Sequence, residues 1–231
     1  GEVLGVFGLM GAGRTELLET IFGLHPRSSS GAIFVRGEPV TIDSPAAAIA
    51  HGLALAPEDR KSEGLVLMQP ISDNVLLTVR TLQSKLARAL PLGIRQDKNL
   101  AIGVSEHMDV RTPSMQQEVQ YLSGGNQQKV VLSKWLATDA KVLIFDEPTR
   151  GIDVEAKASI HERLRELARE GTAVLMISSE LPEVIGMSDR IIVMWDGSIV
   201  GELPAGASEA EIMHMATGSA DNEAEQNTDL S

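Results

Sequence analysis

Two short stretches of this sequence have residue types and spacing suited to binding phosphate and a metal ion. The stretch GLMGAGRTE, residues 8–16, follows the pattern G-x-x-x-x-G-K-[ST], except that Arg14 stands at the lysine position. The stretch VLIFDEP places Asp146 and Glu147 directly after four apolar residues. A buried strand that ends in two carboxylates is costly unless they serve a cation or a water molecule. Together the stretches predict a nucleotide site, where the first carboxylate holds Mg²⁺ and the second polarises the attacking water.

Each stretch also has a plainer interpretation. Residues 8–16 can be a tight turn before a helix, and Asp146-Glu147 can be surface residues in the turn before Pro148. The order of elements argues against both. The apolar stretch GEVLGVFG predicts a strand before the glycine loop, and TELLETIFG has apolar residues at helical spacing after it. A phosphate-binding loop requires this succession of strand, loop and helix.

A third stretch, LSGGNQQKV (122–130), can bind phosphate through backbone N–H groups. Ser123 is placed to cap a helix, whose predicted apolar face comprises Val130, Val131, Trp135 and Leu136. Gly124 and Gly125 leave N–H groups uncovered at the positive end of that helix, which attracts anions. Alone, an ordinary Ser-Gly-Gly cap is the simpler interpretation. Followed by a helix and a strand that ends in Asp-Glu, the stretch becomes specific.

The elements that must position these motifs predict an α/β fold. Strand patterns at KVLIF and TAVLMIS alternate with a long amphipathic helix at EAKASIHERLRELAREG, which favours a mostly parallel sheet with helices on both faces. Hairpins at GAIFVRGEPVTI and RIIVMWDGSIVGEL add a small antiparallel part. Residues 69–121 have helical spacing, broken by Pro91 and Pro113. They predict a helical subdomain between the two parts of an α/β core, 1–68 and 122–217.

Composition excludes several classes of protein. The sequence has no cysteine, so disulfides, zinc-thiolate sites and cysteine catalysis are excluded. A net charge of −12 disfavours nucleic acid as a partner, and no apolar run reaches the roughly 18 residues of a membrane span. Residues 218–231 are polar and acidic and predict a disordered tail. Because the chain begins on a strand pattern without Met, we expect a domain of a longer protein.

With these motifs in this order, the sequence resembles the nucleotide-binding domain of ATP-binding cassette (ABC) proteins. The resemblance covers nearly everything except the acidic tail. GLMGAGRTE, APEDRKSEGL, LSGGNQQKV, DEPTRGIDV and ISSELPEV resemble the second, C-terminal cassette in the ATPase subunit of simple-sugar importers of the ribose and galactose type.

This resemblance implies a P-loop NTPase fold of the ABC type that binds ATP and Mg²⁺. The implied partners are a second cassette, in the same polypeptide or a copy of it, and membrane-spanning permease subunits. The implied location is peripheral, on the cytoplasmic face of the inner membrane. Neither nucleic acid nor the sugar itself would contact the domain.

The resemblance also assigns roles to individual residues. Glu147 is the general-base candidate, and Ser179 falls at the position of the switch histidine. Magnesium would be bound by Thr15 and Asp146. Nucleotide binding is assigned to Gly8, Gly11, Ala12, Gly13, Arg14, Thr15, Glu16 and Glu58. The signature that faces a partner cassette's ATP comprises Ser123, Gly124, Gly125 and Asn126.

Four of these positions depart from the pattern of a fully active cassette. Arg14 replaces a lysine, Glu58 and Asn126 replace glutamines, and Ser179 replaces a histidine. Arginine is planar and larger than lysine, and serine donates a hydrogen bond but carries no positive charge. We therefore expect a degenerate site that binds ATP and hydrolyses it slowly or not at all, and an isolated domain with weak or no ATPase activity.

Two other functions stay open at this point. A non-transport cassette, such as a DNA-repair or translation ATPase, would be expected to carry coiled-coil or zinc insertions or basic arms, which the sequence lacks. A structural or regulatory cassette would only contribute its LSGG signature to a partner. Arg14 and Ser179 are compatible with that second alternative, whereas Thr15, Asp146 and Glu147 argue against it. The sequence does not identify the sugar.

Overall fold

The computed structural model of this 231-residue chain describes residues 1–86 and 94–218. The predicted break at Pro91 and the predicted disordered tail, apart from its first residue Gly218, lie outside the described residues. Within the described residues strands and helices alternate, and the predicted α/β fold is confirmed.

Strands form where apolar, often β-branched runs are bounded by turn residues. The runs VLIFD and AVLMI are mostly buried, as expected for strands covered on both faces. In the described residues the strands are β1 (Val3–Gly8), β2 (Ile33–Val35), β3 (Glu38–Val40), β4 (Leu53–Ala56), β5 (Val142–Asp146), β6 (Ala173–Ile177), β7 (Arg190–Trp195) and β8 (Ser198–Pro204).

Six of these strands form one sheet in the order β4-β5-β6-β1-β7-β8. The strands are parallel except for β8, which is antiparallel to β7 and follows it through the predicted turn at Asp196-Gly197. The predicted first hairpin, β2 and β3, forms a separate two-stranded sheet. Because β5, β6 and β1 are parallel neighbours, their carboxyl ends lie side by side, where open α/β sheets bind their ligands.

Side-chain caps mark the starts of several helices. Ser123 Oγ accepts a hydrogen bond from the Asn126 N–H, and Ser208 forms a capping box with Glu211. The α-helices in residues 1–86 and 94–218 are α1 (Arg14–Ile21), α2 (Pro45–Ala50), α3 (Ile71–Leu86), α4 (Ile94–His107), α5 (Gly124–Leu136), α6 (Val154–Arg169), α7 (Leu181–Met187) and α8 (Glu209–Ala216); a short π-helix spans Arg60–Gly64 and a 3-10 helix spans Val119–Tyr121. None of them is long and apolar enough to cross a bilayer.

The helix α5 contacts both the helices α3 and α4 and the α/β core. It packs against α3 and α4 on one side and against β4 and α6 on the other. Of its predicted apolar face, Val130, Val131 and Trp135 are buried, whereas Leu136 is only half-buried. The helix also buries polar residues that the pattern did not predict, which are Gln127, Gln128, Lys129, Ser133 and Lys134. Its burial is therefore wider than one apolar stripe.

Candidate nucleotide site

A cavity of about 520 Å³ lies at the carboxyl ends of β1, β5 and β6. The loop after β1 forms one side of it, and the ends of β5 and β6 form the other. The structure brings together here all the residues predicted to bind nucleotide or metal or to act in catalysis. They are Gly8, Gly11, Ala12, Gly13, Arg14, Thr15, Glu16, Glu58, Asp146, Glu147 and Ser179.

The loop after β1 has a backbone that only glycine adopts readily. Gly11 has φ +82° and Gly13 has φ +87°, both in the left-handed region. A Cβ atom on Gly13 would also lie 3.3 Å from the Cα atom of Gly197. The Gly197 N–H donates to the Ala12 carbonyl at 3.2 Å. The turn between β7 and β8 therefore packs against the glycine loop and fixes its position.

Arg14, the first residue of α1, points toward the end of β6. Its Nη1 donates to the Ser178 carbonyl at 3.2 Å and lies 3.9 Å from Glu147 Oε1. The side chain is only 14% exposed. The guanidinium therefore places a positive charge inside the cavity, next to the carboxylate predicted to act as the base.

Thr15 and Asp146 are in direct contact. The Thr15 hydroxyl donates to Asp146 Oδ2 at 2.7 Å, and Asp146 is 5% exposed. One hydroxyl and one carboxylate are the kind of oxygen ligands that Mg²⁺ takes, since it keeps several waters and binds phosphate oxygens for the rest. The described residues contain no cluster of three or more His, Cys, Asp or Glu for a metal ion. The pair fits a metal that arrives with a nucleotide rather than an all-protein cage.

Glu147 is held in a strained backbone conformation directly after β5. Its φ of +51° is unusual for a residue other than glycine, and such strain is frequent at functional sites. Its N–H donates to the Ile177 carbonyl at 3.0 Å, which ties it to the end of β6. The Ser179 hydroxyl donates to Glu147 Oε2 at 3.1 Å. Ser179 thus faces the base candidate.

Burial dominates the electrostatics of both carboxylates. It raises the pKa of Asp146 above the ordinary value, although the hydrogen bond from Thr15 and the charge of Arg14 oppose it. Burial likewise raises the pKa of Glu147, opposed by Ser179 and Arg14. A carboxyl with a raised pKa holds a proton more readily, which is one property of a general base.

Sequence reasoning missed the arginines that adjoin this cavity. Glu58 pairs with Arg150, so its charge is matched within the chain. Arg60 donates to the Arg150 carbonyl at 2.8 Å and to the Gly151 carbonyl at 3.4 Å. These groups border a second cavity of about 610 Å³, which shares Glu58, Arg150, Thr15 and Asp146 with the first. The stretches APEDR and DEPTRG each contain an arginine, but nothing in their spacing shows that they meet.

The signature residues line a different cavity. Ser123, Gly125 and Asn126 border a space of about 190 Å³ with Arg111 and Lys129. Asn126 Oδ1 accepts the Arg111 N–H at 2.8 Å, and its Nδ2 donates to Ser123 Oγ at 3.1 Å. The structure therefore does not bring the signature to the chain's own nucleotide cavity.

Comparisons with known proteins agree with this geometry. The family model described as "ABC transporter" matches residues 1–150 of the 231. A putative ribose/galactose/methyl galactoside import ATP-binding protein of Rhizobium etli is 47% identical over 219 residues, covering 94% of this chain and 41% of its own. The ribose import ATP-binding protein RbsA of Rhodopirellula baltica is 51% identical over 200 residues, covering 85% and 38%. The chain thus spans about two fifths of the length of these relatives.

Solved structures share the fold at lower sequence identity. The dimeric bacterial ABC transporter cassette MJ0796 superposes with a TM-score of 0.74 and 18% identity, over 90% of this chain and 87% of its own. A nucleotide-free cassette from an ABC transporter superposes with a TM-score of 0.74 and 20% identity, over 94% and 84%. With the family model and the sequence relatives, the conclusion about the family is direct: this chain belongs to the ABC transporter family and has the fold of its ATP-binding cassettes.

Proposed function

We propose that this chain is the nucleotide-binding domain of a carbohydrate ABC importer, and that it corresponds to the second, C-terminal cassette of the ATPase subunit. The observation that carries the proposal is the single cavity bordered by the glycine loop, Thr15, Asp146 and Glu147. The relatives are named as import ATP-binding proteins for ribose and galactose, which supports a sugar as the cargo of the complete transporter.

In this proposal the glycine loop and α1 bind the phosphates of ATP. Thr15 and Asp146 would hold Mg²⁺, which neutralises phosphate charge when it is bound. Arg14 supplies a positive charge inside the cavity, and Glu147 is placed to orient or deprotonate a water molecule. Glu58 lies at the rim with its charge matched by Arg150.

We further propose that the site is degenerate. Ser179 reaches Glu147 and can donate a hydrogen bond, but it cannot bring a positive charge to the γ-phosphate. Arg14 is engaged with the Ser178 carbonyl through a planar group rather than a compact ammonium. Loss of electrostatic help to a transferring phosphoryl group typically slows the reaction by orders of magnitude. The site would bind ATP and turn it over slowly or not at all.

The signature supports a second role, in a partner cassette. Ser123, Gly124, Gly125 and Asn126 begin α5 away from the chain's own cavity, and so would complete the ATP site of the facing cassette. Residues 1–68 and 122–217 would form the ATP-binding core. Residues 69–121, which include α3 and α4, would face the permease subunits at the cytoplasmic side of the inner membrane.

Calorimetric titration of this chain with Mg-ATP tests the proposal. Binding in the micromolar to low millimolar range is expected, because the phosphate loop and the metal ligands are assembled without a partner. Absence of binding at millimolar ATP would instead favour the alternative of a structural cassette that contributes only its signature.

A second experiment tests the proposed degeneracy by comparing the same substitution in the two cassettes of the complete transporter. Glu147→Gln should reduce transport ATPase less than the matching substitution in the partner cassette.

A further inference from the structure

A buried carboxylate with no assigned role lies behind the nucleotide cavity. Glu183 belongs to the first turn of α7 and is 5% exposed. It is absent from the lining of the cavity, so it has no direct access to a nucleotide there. Taking a carboxylate out of water is unfavourable unless donors surround it, so its partners are informative.

Three donors from three separate segments of the chain converge on Glu183. The Thr149 hydroxyl donates to Oε1 at 2.6 Å, His161 Nε2 from α6 contacts the same oxygen, and the Ser178 hydroxyl donates to Oε2. Burial alone would raise the pKa of Glu183, but these donors together bring it below the ordinary value. The side chain is therefore an ionised acceptor at neutral pH.

One of these donors, Ser178, belongs to the turn that follows β6. Ser178 is followed by Ser179, whose hydroxyl donates to Glu147. The Ser178 carbonyl accepts from Arg14, and its hydroxyl accepts the Glu180 N–H at 3.0 Å. Fixing the Ser178 side chain therefore fixes the backbone that presents Ser179 and receives Arg14.

Another donor belongs to the segment that follows β5. Thr149 is 2% exposed, lies two residues after Glu147 and directly precedes Arg150. The Arg150 N–H donates to the Glu147 carbonyl at 3.1 Å, which closes the turn on which the base candidate sits. The same carboxylate thus holds the turn after β5 and the turn after β6.

A purely structural role would not require this chemistry. A buried charge is weak evidence for stability, because an apolar residue of similar volume often stabilises a fold as well or better. A carboxylate that accepts hydrogen bonds from two turns does, however, fix the position of one turn relative to the other. Apolar packing fixes it less strictly, because it is not directional.

We propose that Glu183 is a positioning residue that holds segments 147–150 and 178–180 together, so that Glu147 faces both Arg14 and Ser179. Its effect on nucleotide binding rests on the function proposed above. It concerns the geometry of the γ-phosphate end of that site.

The first experiment measures amide hydrogen exchange in the nucleotide-free chain. Glu183→Gln keeps the size of the side chain but replaces one acceptor oxygen by a donor, so one hydroxyl loses its acceptor. Exchange in 147–150 and 178–180 should become about tenfold faster, since local openings become easier. Glu180→Gln is the matched control: Glu180 lies on the same turn but is exposed and pairs with Lys157. It should leave both segments unchanged.

The second experiment compares Mg-ATP with Mg-ADP binding by calorimetry. Glu183→Gln should weaken ATP binding about five- to tenfold and change ADP binding less than about twofold, a typical coupling between distinct sites. Thr149→Val removes one donor at constant shape and should change the ATP-to-ADP ratio in the same direction by a smaller factor. If Glu183→Gln does not fold, Thr149→Val still tests the proposal.

The outcomes separate the two proposals. Uniformly faster exchange throughout the chain, or no change in either segment, would overturn the positioning role. Equal loss of ATP and ADP affinity would also overturn it, because that is the effect of general destabilisation. The unsubstituted chain could bind neither nucleotide while Glu183→Gln speeds exchange in the two segments only. In that case the proposed function fails, but the role of Glu183 in holding the two segments together stands.

Discussion

The nucleotide cavity and the signature cavity differ in how they are built. In the nucleotide cavity, charged side chains face one another: Arg14 lies beside Glu147, and Glu58 pairs with Arg150. In the signature cavity, charged residues also line the space, but the groups that hydrogen-bond at the start of α5 are the neutral Ser123 hydroxyl and Asn126 amide. Three of the four departures from the family pattern, Arg14, Glu58 and Ser179, fall in the nucleotide cavity. Under the proposed function, changes at the γ-phosphate end of the nucleotide site would leave the signature offered to a partner cassette undisturbed.

The largest expected effect concerns Lys134, a buried cation in α5 that lies outside both cavities. Its Nζ donates to the Gly64 carbonyl at 2.7 Å and lies 4.9 Å from the centre of the Trp135 ring. Burial lowers the pKa of Lys134 from 10.5 to about 8. Between these pH values the unfolded chain keeps a proton that the folded chain has released. This residue therefore makes the free energy of unfolding rise with pH, by about 3 kcal/mol across the window.

Urea denaturation of the unsubstituted chain and Lys134→Met at several pH values measures this effect. Below pH 8 the methionine variant avoids a buried charge, and its relative stability should be greatest there. The advantage should fall as pH approaches 10.5. Lys141→Met is the control, because Lys141 is half exposed and pairs with Asp139. A constant difference between Lys134→Met and the unsubstituted chain over the window would contradict the burial of a charged lysine.

The next effect tests how tightly the signature end is packed. A Cβ atom on Gly125 would lie 2.4 Å from the Cβ atom of Ala156 in α6. Gly125→Ala should therefore lower the free energy of unfolding by about 2 kcal/mol, as overpacking does. Gly103→Ala is the control: it is exposed on α4 with no atom within 4 Å of a Cβ, and it should stabilise by about 0.5–1 kcal/mol. Equal effects in chemical denaturation would rule out a close contact of α5 and α6.

A smaller effect tests the charge in the nucleotide cavity. Arg14→Ala should weaken Mg-ATP binding about tenfold, because a charge-assisted contact with phosphate is lost. Arg14→Lys keeps the charge and should remain within about threefold of the unsubstituted chain. Calorimetry measures both affinities. Identical ATP affinities for the alanine and unsubstituted chains would show that Arg14 binds only Ser178 and Glu147.

The smallest effect tests the hydrogen bond between Asn126 and the Arg111 N–H at the start of α5. Asn126→Ala removes the acceptor of the Arg111 N–H and should lower the free energy of unfolding by about 1 kcal/mol. Asn126→Asp keeps an acceptor at the first turn of α5 and should stay within about 0.5 kcal/mol of the unsubstituted chain. If thermal denaturation shows the aspartate variant as unstable as the alanine variant, the acceptor is not what matters at this position.

Local patterns in the sequence predicted most elements and the assigned cavity. The strand leading to Asp146, the Ser123 cap and the Asp196-Gly197 turn each depend on neighbouring residues, so periodicity and capping rules identify them. The motif residues then meet because parallel strands end at one edge of the sheet. The strand order itself places β1 between strands from the other end of the chain, and no local signal encodes that.

The groups that hold the motifs were not predictable in the same way. Glu183 has the pattern of an ordinary acidic residue in the first turn of a helix, and His161 lies in a helix with many charged residues. Lys134 likewise follows a serine in a helix whose apolar face accounts for only part of its burial. Each acquires its role from contacts with residues distant in sequence, so only the folded arrangement identifies it.

The position of β1 has a consequence for how the domain forms. Val3 pairs with Val174 and Leu4 with Arg190, so β1 pairs with strands that lie more than 170 residues further along the chain. Such long-range pairing slows folding, because the entropy of closing the intervening chain is lost before any contact compensates it. The glycine loop, carried by β1, therefore takes its final shape late. Until these pairings form, the apolar strand β1 is exposed and prone to aggregation.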